Sequence, residues 1–189
     1  ALLDRFGSVV DIIEADGFTP DARVTMIVEG ETPATMAKST GLGLLELPTM
    51  FELLKPDVVV SVGDRFETMA TAIAAAYMNI PVAHTMGGEI SGTIDESIRH
   101  AVTKLAHIHF PANEPAAERI IRMGEHPDCV FSVGCPRIDL VAEIAHATGG
   151  IPHVEWLTRE GVGADIDPAK PFLLVNQHPV TTEYGHGKE

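Results

Sequence analysis

Apolar residues follow two different spacings along the chain. Apolar runs at residues 57–62 and 82–86 predict buried strands, whereas apolar positions three or four residues apart predict helices at 6–16 and 67–79. Strands that are buried on both faces are typical of parallel sheets. The alternation therefore predicts an α/β fold with a Rossmann-like doubly wound parallel sheet. Further strands are predicted at residues 23–28, 108–110, 129–133 and 172–176, and further helices at 95–106, 114–123 and 138–146.

A longer helix is predicted to begin at Thr32-Pro33. Threonine is a good N-cap, and proline is favoured at the first helical position. Pro48 is expected to break or kink this helix, and Pro56 lies beyond its end.

Composition and charge exclude several classes of function. Hydrophobic residues make up 45% of the 189 residues, so the chain is predicted to be globular, and no apolar run is long enough to cross a membrane. The net charge of −14 argues against nucleic acid or an anionic membrane as a partner. Cys129 and Cys135 provide no disulfide framework. With no signal-peptide pattern at the start of the chain, we expect a cytoplasmic location.

In doubly wound sheets, ligands bind at the carboxyl ends of the strands, so the loops there are the candidate site. The first loop contains Asp64 and Arg65 beside a predicted helix N-terminus. Asp64 is a candidate catalytic carboxylate, and Arg65 is a candidate phosphate ligand. The alternative is that Asp64 caps the helix and Arg65 lies on the surface.

The second loop begins at His84, contains paired glycines and Glu89, and leads into a helix at Asp95. Two carboxylates beside one cleft can divide acid and base roles, so Glu89 and Asp95 are candidate catalytic residues. The alternative is a capping box formed by Thr93 and Glu96.

Arg99 lies four residues after Asp95 on the same predicted helix face. It either pairs with Asp95 or contacts a substrate oxygen. Together with Arg65 and His84, it completes the set of candidate substrate-binding residues.

Two further strand-end loops carry weaker signals. The loop at residues 134–139 is either a turn or a nucleotide contact. His178 follows the last predicted strand, where an imidazole contacts phosphate or transfers a proton. His107 and His109 lack the helical spacing of a zinc pair, and no dinucleotide or P-loop motif is found. No metal and no cofactor is therefore expected.

Four motifs together resemble one family: GDRFE, GGEISGTIDESIRHAVTKLAH, GCPRID and QHPVTTEYG. The chain resembles the hydrolysing UDP-N-acetylglucosamine 2-epimerases of sialic acid and legionaminic acid biosynthesis, from about Leu2 to Gly185. The resemblance implies two Rossmann-like domains facing each other across a cleft, the glycosyltransferase-B arrangement. Residues 1–168 would then form the first domain without its first strand. Residues 169–189 would begin the second, nucleotide-binding domain.

The resemblance also implies a reaction and its residues. The C2 proton of UDP-N-acetylglucosamine is removed, UDP leaves from C1, and water adds to the glycal, which gives N-acetylmannosamine without metal or redox cofactor. By motif, Asp64 and Asp95 match catalytic carboxylates, Arg65 a UDP contact, and His178 a histidine at the interdomain hinge. We expect a UDP-sugar as substrate and a homo-oligomer for the full-length enzyme. We expect the 189-residue chain alone to be inactive, because half of the cleft would be absent.

Met86 departs from the pattern of the family, whose members often have glutamate or histidine there. Glu89 takes over that role, the site accepts another sugar, or activity is impaired. The alternatives are therefore the same chemistry on a UDP- or GDP-linked diacetamido-trideoxy sugar, a glycosyltransferase of the same fold, and a non-catalytic nucleotide-sugar binder.

Overall fold

The computed structural model describes residues 8–30 and 32–146, together with Lys170, Pro171, Leu173 and Val175. Its elements, in chain order, are α1 (Val9–Ala15), α2 (Pro33–Leu54), β1 (Val59–Val62), α3 (Phe66–Tyr77), β2 (Val82–Thr85), α4 (Ile94–Leu105), β3 (Ile108–Phe110), α5 (Glu114–Arg122), a 3-10 turn (Pro127–Cys129) and α6 (Pro136–His146). The chain divides into two compact units, residues 1–135 and 136–189, and α6 belongs to the second. The strand predicted at 172–176 falls largely outside the described residues.

The three strands form a parallel sheet in the order β1-β2-β3. Ser61 is in register with His84, and His84 is in register with His109. Helices connect consecutive strands, so the predicted α/β architecture is confirmed. Because all three strands run the same way, the loops after β1 and β2 meet at one edge of the sheet.

Helix α2 begins as predicted but does not break. The Thr32 hydroxyl accepts a hydrogen bond from the backbone N–H of Thr35, and the Thr35 hydroxyl accepts one from the backbone N–H of Thr32. The helix continues through Pro48 and ends at Lys55, which has a left-handed φ of 49°. Of the break or kink predicted at Pro48, the break is therefore not observed. The contacts of α2 with α3 offset the lost hydrogen bond of the proline.

Small residues let the helices pack closely around the sheet. The buried face of α3 consists of alanines, at positions 70, 72, 74 and 75. A Cβ added to Gly43 of α2 would lie 3.0 Å from the Cβ of Ala70, so α2 approaches α3 at this glycine. Val82 and Val102 are fully buried, and each contributes roughly 1.5–3 kcal/mol of hydrophobic stabilisation.

Two predicted strands are not formed as such. Residues 23–28 pair with no strand in the described part of the chain, and the backbone N–H of Val28 donates instead to Ser39 Oγ at 2.9 Å. The segment predicted at 129–133 begins in the 3-10 turn and makes one isolated bridge, Val130 to His109. In this segment the backbone N–H groups of Phe131 and Val133 donate to the carbonyls of His109 and Pro111, at 2.8 and 3.2 Å, so it runs beside β3 without forming a full strand. Residues 23–28 have no such neighbour among the described residues, and a local apolar pattern does not provide one.

Strand β1 also differs from the expected burial on both faces. Val59 and Ser61 are buried, whereas Val60 and Val62 are 59% and 62% exposed. The prediction holds for β2, whose first three residues are all buried. Strand β1 lies at an edge of the sheet, and none of the described elements covers its outer face.

Candidate active site

The loop after β1 directs Asp64 toward helix α4. Gly63 has a φ of +92°, a left-handed conformation that glycine adopts without steric cost, and the chain turns there at the strand end. Arg65, rather than Asp64, is the N-cap residue of α3. Asp64 instead forms an ion pair with Arg99. The capping alternative for Asp64 is therefore not observed.

Arg99 connects the two loops. Its side chain is 7% exposed, and it pairs with Asp64 and donates to the backbone carbonyl of Glu89 at 2.7 Å. It also lies 3.4 Å from Ser91 Oγ. The predicted pairing of Arg99 with Asp95 is not observed, because these three acceptors occupy the guanidinium. A buried arginine bound to a carboxylate and a carbonyl positions both groups rigidly.

Asp95, in the first turn of α4, is half-buried beside Asp64. Burial raises the pKa of Asp95, and the negative charge of Asp64 raises it further, while Arg65 and Arg99 oppose this rise. Asp64 and Asp95 are therefore close enough to interact electrostatically. A raised pKa makes the Asp95 carboxylate a stronger base than an ordinary aspartate.

The loop between β2 and α4 is fixed by side chains from two helices. The Glu96 carboxylate accepts hydrogen bonds from the backbone N–H groups of Ser91 and Gly92, at 2.7 and 2.6 Å, and these bonds lower the pKa of Glu96. The predicted capping box is wrong, since the side chain of the N-cap residue Thr93 accepts no capping hydrogen bond. The Glu96 carboxylate instead accepts from N–H groups that precede the N-cap residue.

Arg119 of α5 lies near the site, and the sequence analysis did not predict its role. Its guanidinium donates to the backbone carbonyl of Gly88. A Cβ on Gly88 would overlap the backbone oxygen of Ala116, so the loop lies directly against α5. The paired glycines indicate such a close approach, but they do not identify the helix that makes it.

His84 is not placed as a ligand contact. Its side chain is completely buried, with Nε2 3.2 Å from the Gly63 carbonyl and Nδ1 3.3 Å from Thr103 Oγ1. Burial lowers its pKa to about 4. His84 thus lies beneath the loops, and its predicted substrate contact stays a prediction.

The other candidates vary in position. Arg65 is exposed, with its guanidinium over the Phe66 ring. Glu89 is half-buried, and Arg99 binds its carbonyl. Met86 is half-buried with a left-handed φ of 57°. His178 lies outside the described residues.

The described residues contain neither a membrane-spanning helix nor a metal-binding cluster. None of the helices there is both long and apolar enough to cross a membrane. In the same part of the chain, no three His, Cys, Asp or Glu side chains are arranged to hold a metal ion.

The fold defines a class: an α/β protein of the glycosyltransferase-B type. The chain belongs to the UDP-N-acetylglucosamine 2-epimerase family, which residues 6–188 match.

Three similar proteins illustrate the relationship. The UDP-N,N'-diacetylbacillosamine 2-epimerase (hydrolyzing) of Legionella pneumophila is 39% identical over 94% of this chain and 45% of its own length. The UDP-N-acetylglucosamine 2-epimerase of Neisseria meningitidis is 39% identical over 69% of this chain and 32% of its own. The Methanocaldococcus jannaschii UDP-GlcNAc 2-epimerase, solved with UDP-GlcNAc and UDP, is 25% identical with a TM-score of 0.62, over 69% of this chain and 36% of that one. The chain thus spans less than half the length of these relatives.

Proposed function

We propose that the full-length protein is a hydrolysing 2-epimerase that acts on a UDP-activated 2-acetamido sugar. The observation that supports this most is the convergence of Asp64 and Asp95 beside the Arg99 guanidinium. Two carboxylates with different environments provide the proton acceptor and proton donor that inversion at a carbon requires.

The reaction needs two proton transfers at C2 and the departure of UDP from C1. Asp95, whose pKa is raised, takes the proton from C2, and the electron pair left behind forms the C1–C2 double bond as the C1–oxygen bond to UDP breaks. Water then adds to C1: its hydroxyl bonds to C1, and its proton passes to the Asp64 carboxylate, which we assign to deliver it to the opposite face of C2. Asp95 releases the proton that it took to solvent. The products are UDP and the free 2-epimeric sugar. Arg65, an exposed cation beside the carboxylates, would stabilise the departing diphosphate.

The identity of the sugar is proposed from the relatives. The Legionella relative, which acts on UDP-N,N'-diacetylbacillosamine, is similar over 94% of the chain, whereas the Neisseria relative that acts on UDP-N-acetylglucosamine is similar over 69%. We therefore favour UDP-N,N'-diacetylbacillosamine as the donor, with UDP-N-acetylglucosamine as the second candidate. The apolar Met86 in the site loop suits a deoxygenated sugar.

Three further assignments complete the proposal. Glu89 and His178 are assigned to proton transfer or phosphate binding, and residues 1–168 and 169–189 to the two facing domains. A homo-oligomer is proposed for the full-length protein.

The test is turnover by the full-length protein with each of the two donors. We expect release of UDP together with a free sugar inverted at C2, and a higher kcat/KM for UDP-N,N'-diacetylbacillosamine. A higher value for UDP-N-acetylglucosamine would replace the favoured donor with the second. If neither donor released UDP, the proposed function would be wrong.

A further inference from the structure

The buried His84 lies between the two loops that carry the site. Its Nε2 is bonded to the carbonyl of Gly63, the residue immediately before Asp64, and its Nδ1 to the hydroxyl of Thr103. The Thr103 hydroxyl also lies 3.0 Å from the carbonyl oxygen of Arg99, one helical turn earlier. A continuous set of hydrogen bonds thus joins the backbone at Asp64 to the backbone at Arg99.

The donors in this set are fixed by chemistry. A carbonyl oxygen only accepts, so the imidazole proton must be on Nε2, where it faces Gly63. In a neutral imidazole Nδ1 is then an acceptor, and the Thr103 hydroxyl proton is shared between it and the Arg99 carbonyl. The low pKa of His84 is consistent with this neutral form.

The His84–Thr103 pair also supports the second loop. A Cβ on Gly87 would lie 3.0 Å from both His84 Nδ1 and Thr103 Oγ1, so the loop backbone rests directly on the pair. The pair therefore contacts the end of β1, the helix α4 and the loop after β2.

We propose that His84 is a positioning residue, which fixes the Gly63 peptide and the Arg99 turn relative to each other so that Asp64 and Asp95 face the same sugar. Asp64 is then held from two sides, by the Arg99 guanidinium and by the hydrogen-bonded peptide that precedes it. Without the Nε2 donor, the half-buried Gly63 carbonyl loses its partner, and a peptide at a glycine has few steric restraints of its own. The inference rests on the proposed function, since it assigns a role within the same site.

A matched control is provided by the neighbouring strand. His109 is in register with His84 and is equally buried, but its Nε2 lies 3.3 Å from Glu125 rather than beside the site. Replacement of either histidine removes a buried imidazole from the same row of the sheet. Only His84 is bonded to the backbone that carries the site residues.

The kinetic test uses the full-length protein. For His84→Leu we expect kcat to fall about a hundredfold, because a displacement of about 1 Å has that effect, with KM changed less than about threefold. His84→Gln retains a donor toward Gly63 and should recover most of the loss. Thr103→Ser should resemble the wild type, whereas Thr103→Val should lower kcat about tenfold. His109→Leu should leave kcat unchanged.

Equal losses of kcat in His84→Leu and His109→Leu would overturn the proposal, because a general loss of packing would then explain both. If His84→Leu does not fold, the glutamine variant and the two Thr103 variants decide in the same way. Equal kcat values for Thr103→Val and Thr103→Ser would also count against it.

A second readout is independent of turnover. In the full-length protein labelled with ¹⁵N-histidine, His84 should show a protonated Nε2 and an unprotonated Nδ1. In the protein labelled with ¹⁵N-arginine, the Arg99 guanidinium should lose protection from exchange in His84→Leu but not in His109→Leu. A protonated Nδ1, or unchanged protection of Arg99, would overturn the positioning role. If the wild type turned over no nucleotide sugar, the proposed function would fail, and this readout would still decide the role of His84.

Discussion

Helix α4 carries a cluster of charged side chains at each end. The cluster at its first end contains a second carboxylate, that of Asp95. At the first end, Arg99 pairs with Asp64, and Asp95 has no ion-pair partner among the described residues. At the other end, Lys104 forms an ion pair with Glu125, the only carboxylate in that cluster, and His109 contacts it from β3.

This difference in charge pairing indicates that the cluster at Lys104 is structural and that the cluster at Asp64 is functional. Lys104 and Glu125 attach the loop after α5 to α4, and their charges are matched. The cluster at Asp64 retains a carboxylate whose pKa is raised by burial and by its neighbour. A half-buried carboxylate without a matched partner reduces stability, and such groups concentrate at functional sites.

The largest difference is expected in activity. Asp95→Asn should lower kcat of the full-length protein about 10³-fold, because the amide cannot accept the C2 proton. Glu125→Gln, the matched change at the other end of α4, should reduce thermal stability while kcat is retained. Steady-state kinetics and thermal unfolding of both variants provide the comparison. Full activity in Asp95→Asn would eliminate the distinction between the clusters.

The next effect concerns the loop beside the functional cluster. Gly88→Ala should destabilise the fold by about 3 kcal/mol or more, because the new Cβ meets the Ala116 backbone and φ is +79°. Gly92→Ala has a similar φ of +71° but open space, so it should cost only about 1–2 kcal/mol. Urea unfolding measures both changes. Equal destabilisation would show that the loop does not rest on α5.

The third effect is the response of stability to acid. His84 stays neutral in the folded state down to about pH 4, whereas in the unfolded chain it takes up a proton near pH 6.5. Its contribution is therefore complete above pH 6.5, and about 3 kcal/mol of stability is lost as the pH falls toward 4. Asp64 and the Gly63 carbonyl oppose this fall in pKa, while Arg99 and His109 add to it.

The comparison with His109 sharpens this prediction. Burial also lowers the pKa of His109, but Glu125 counteracts the effect. His84→Leu should therefore remove more of the acid sensitivity between about pH 6.5 and pH 4 than His109→Leu does. Urea unfolding over this pH range measures it, and the reverse order would contradict the assigned environments.

Local patterns predicted much of the fold. The apolar run before Gly63 and the alanine-rich segment after it formed β1 and α3, and Thr32 caps α2 as predicted. Residues 23–28 have an equally suitable pattern, yet they form no strand, because pairing depends on a neighbour distant in sequence.

Local patterns predicted less of the site. Because the strand-end loops of a parallel sheet share one edge, the sequence predicted that Asp64 and Asp95 lie near each other. In the structure the charge of Asp64 acts on Asp95. The partner of Arg99 could not be predicted, because Asp64 is 35 residues away and Asp95 is only four. The hydrogen bonds of His84 to Gly63 and Thr103 could not be predicted either, because the direction of a side chain at a strand end depends on the register, which the sequence alone does not define.

The central claim, that Asp95 and Asp64 exchange hydrogen at C2, is tested most directly by turnover in D₂O. The full-length protein should release a 2-epimeric free sugar that carries one deuterium at C2, detected by NMR and mass spectrometry, and Asp95→Asn should abolish this incorporation. Release of UDP with only protium at C2 would contradict the account.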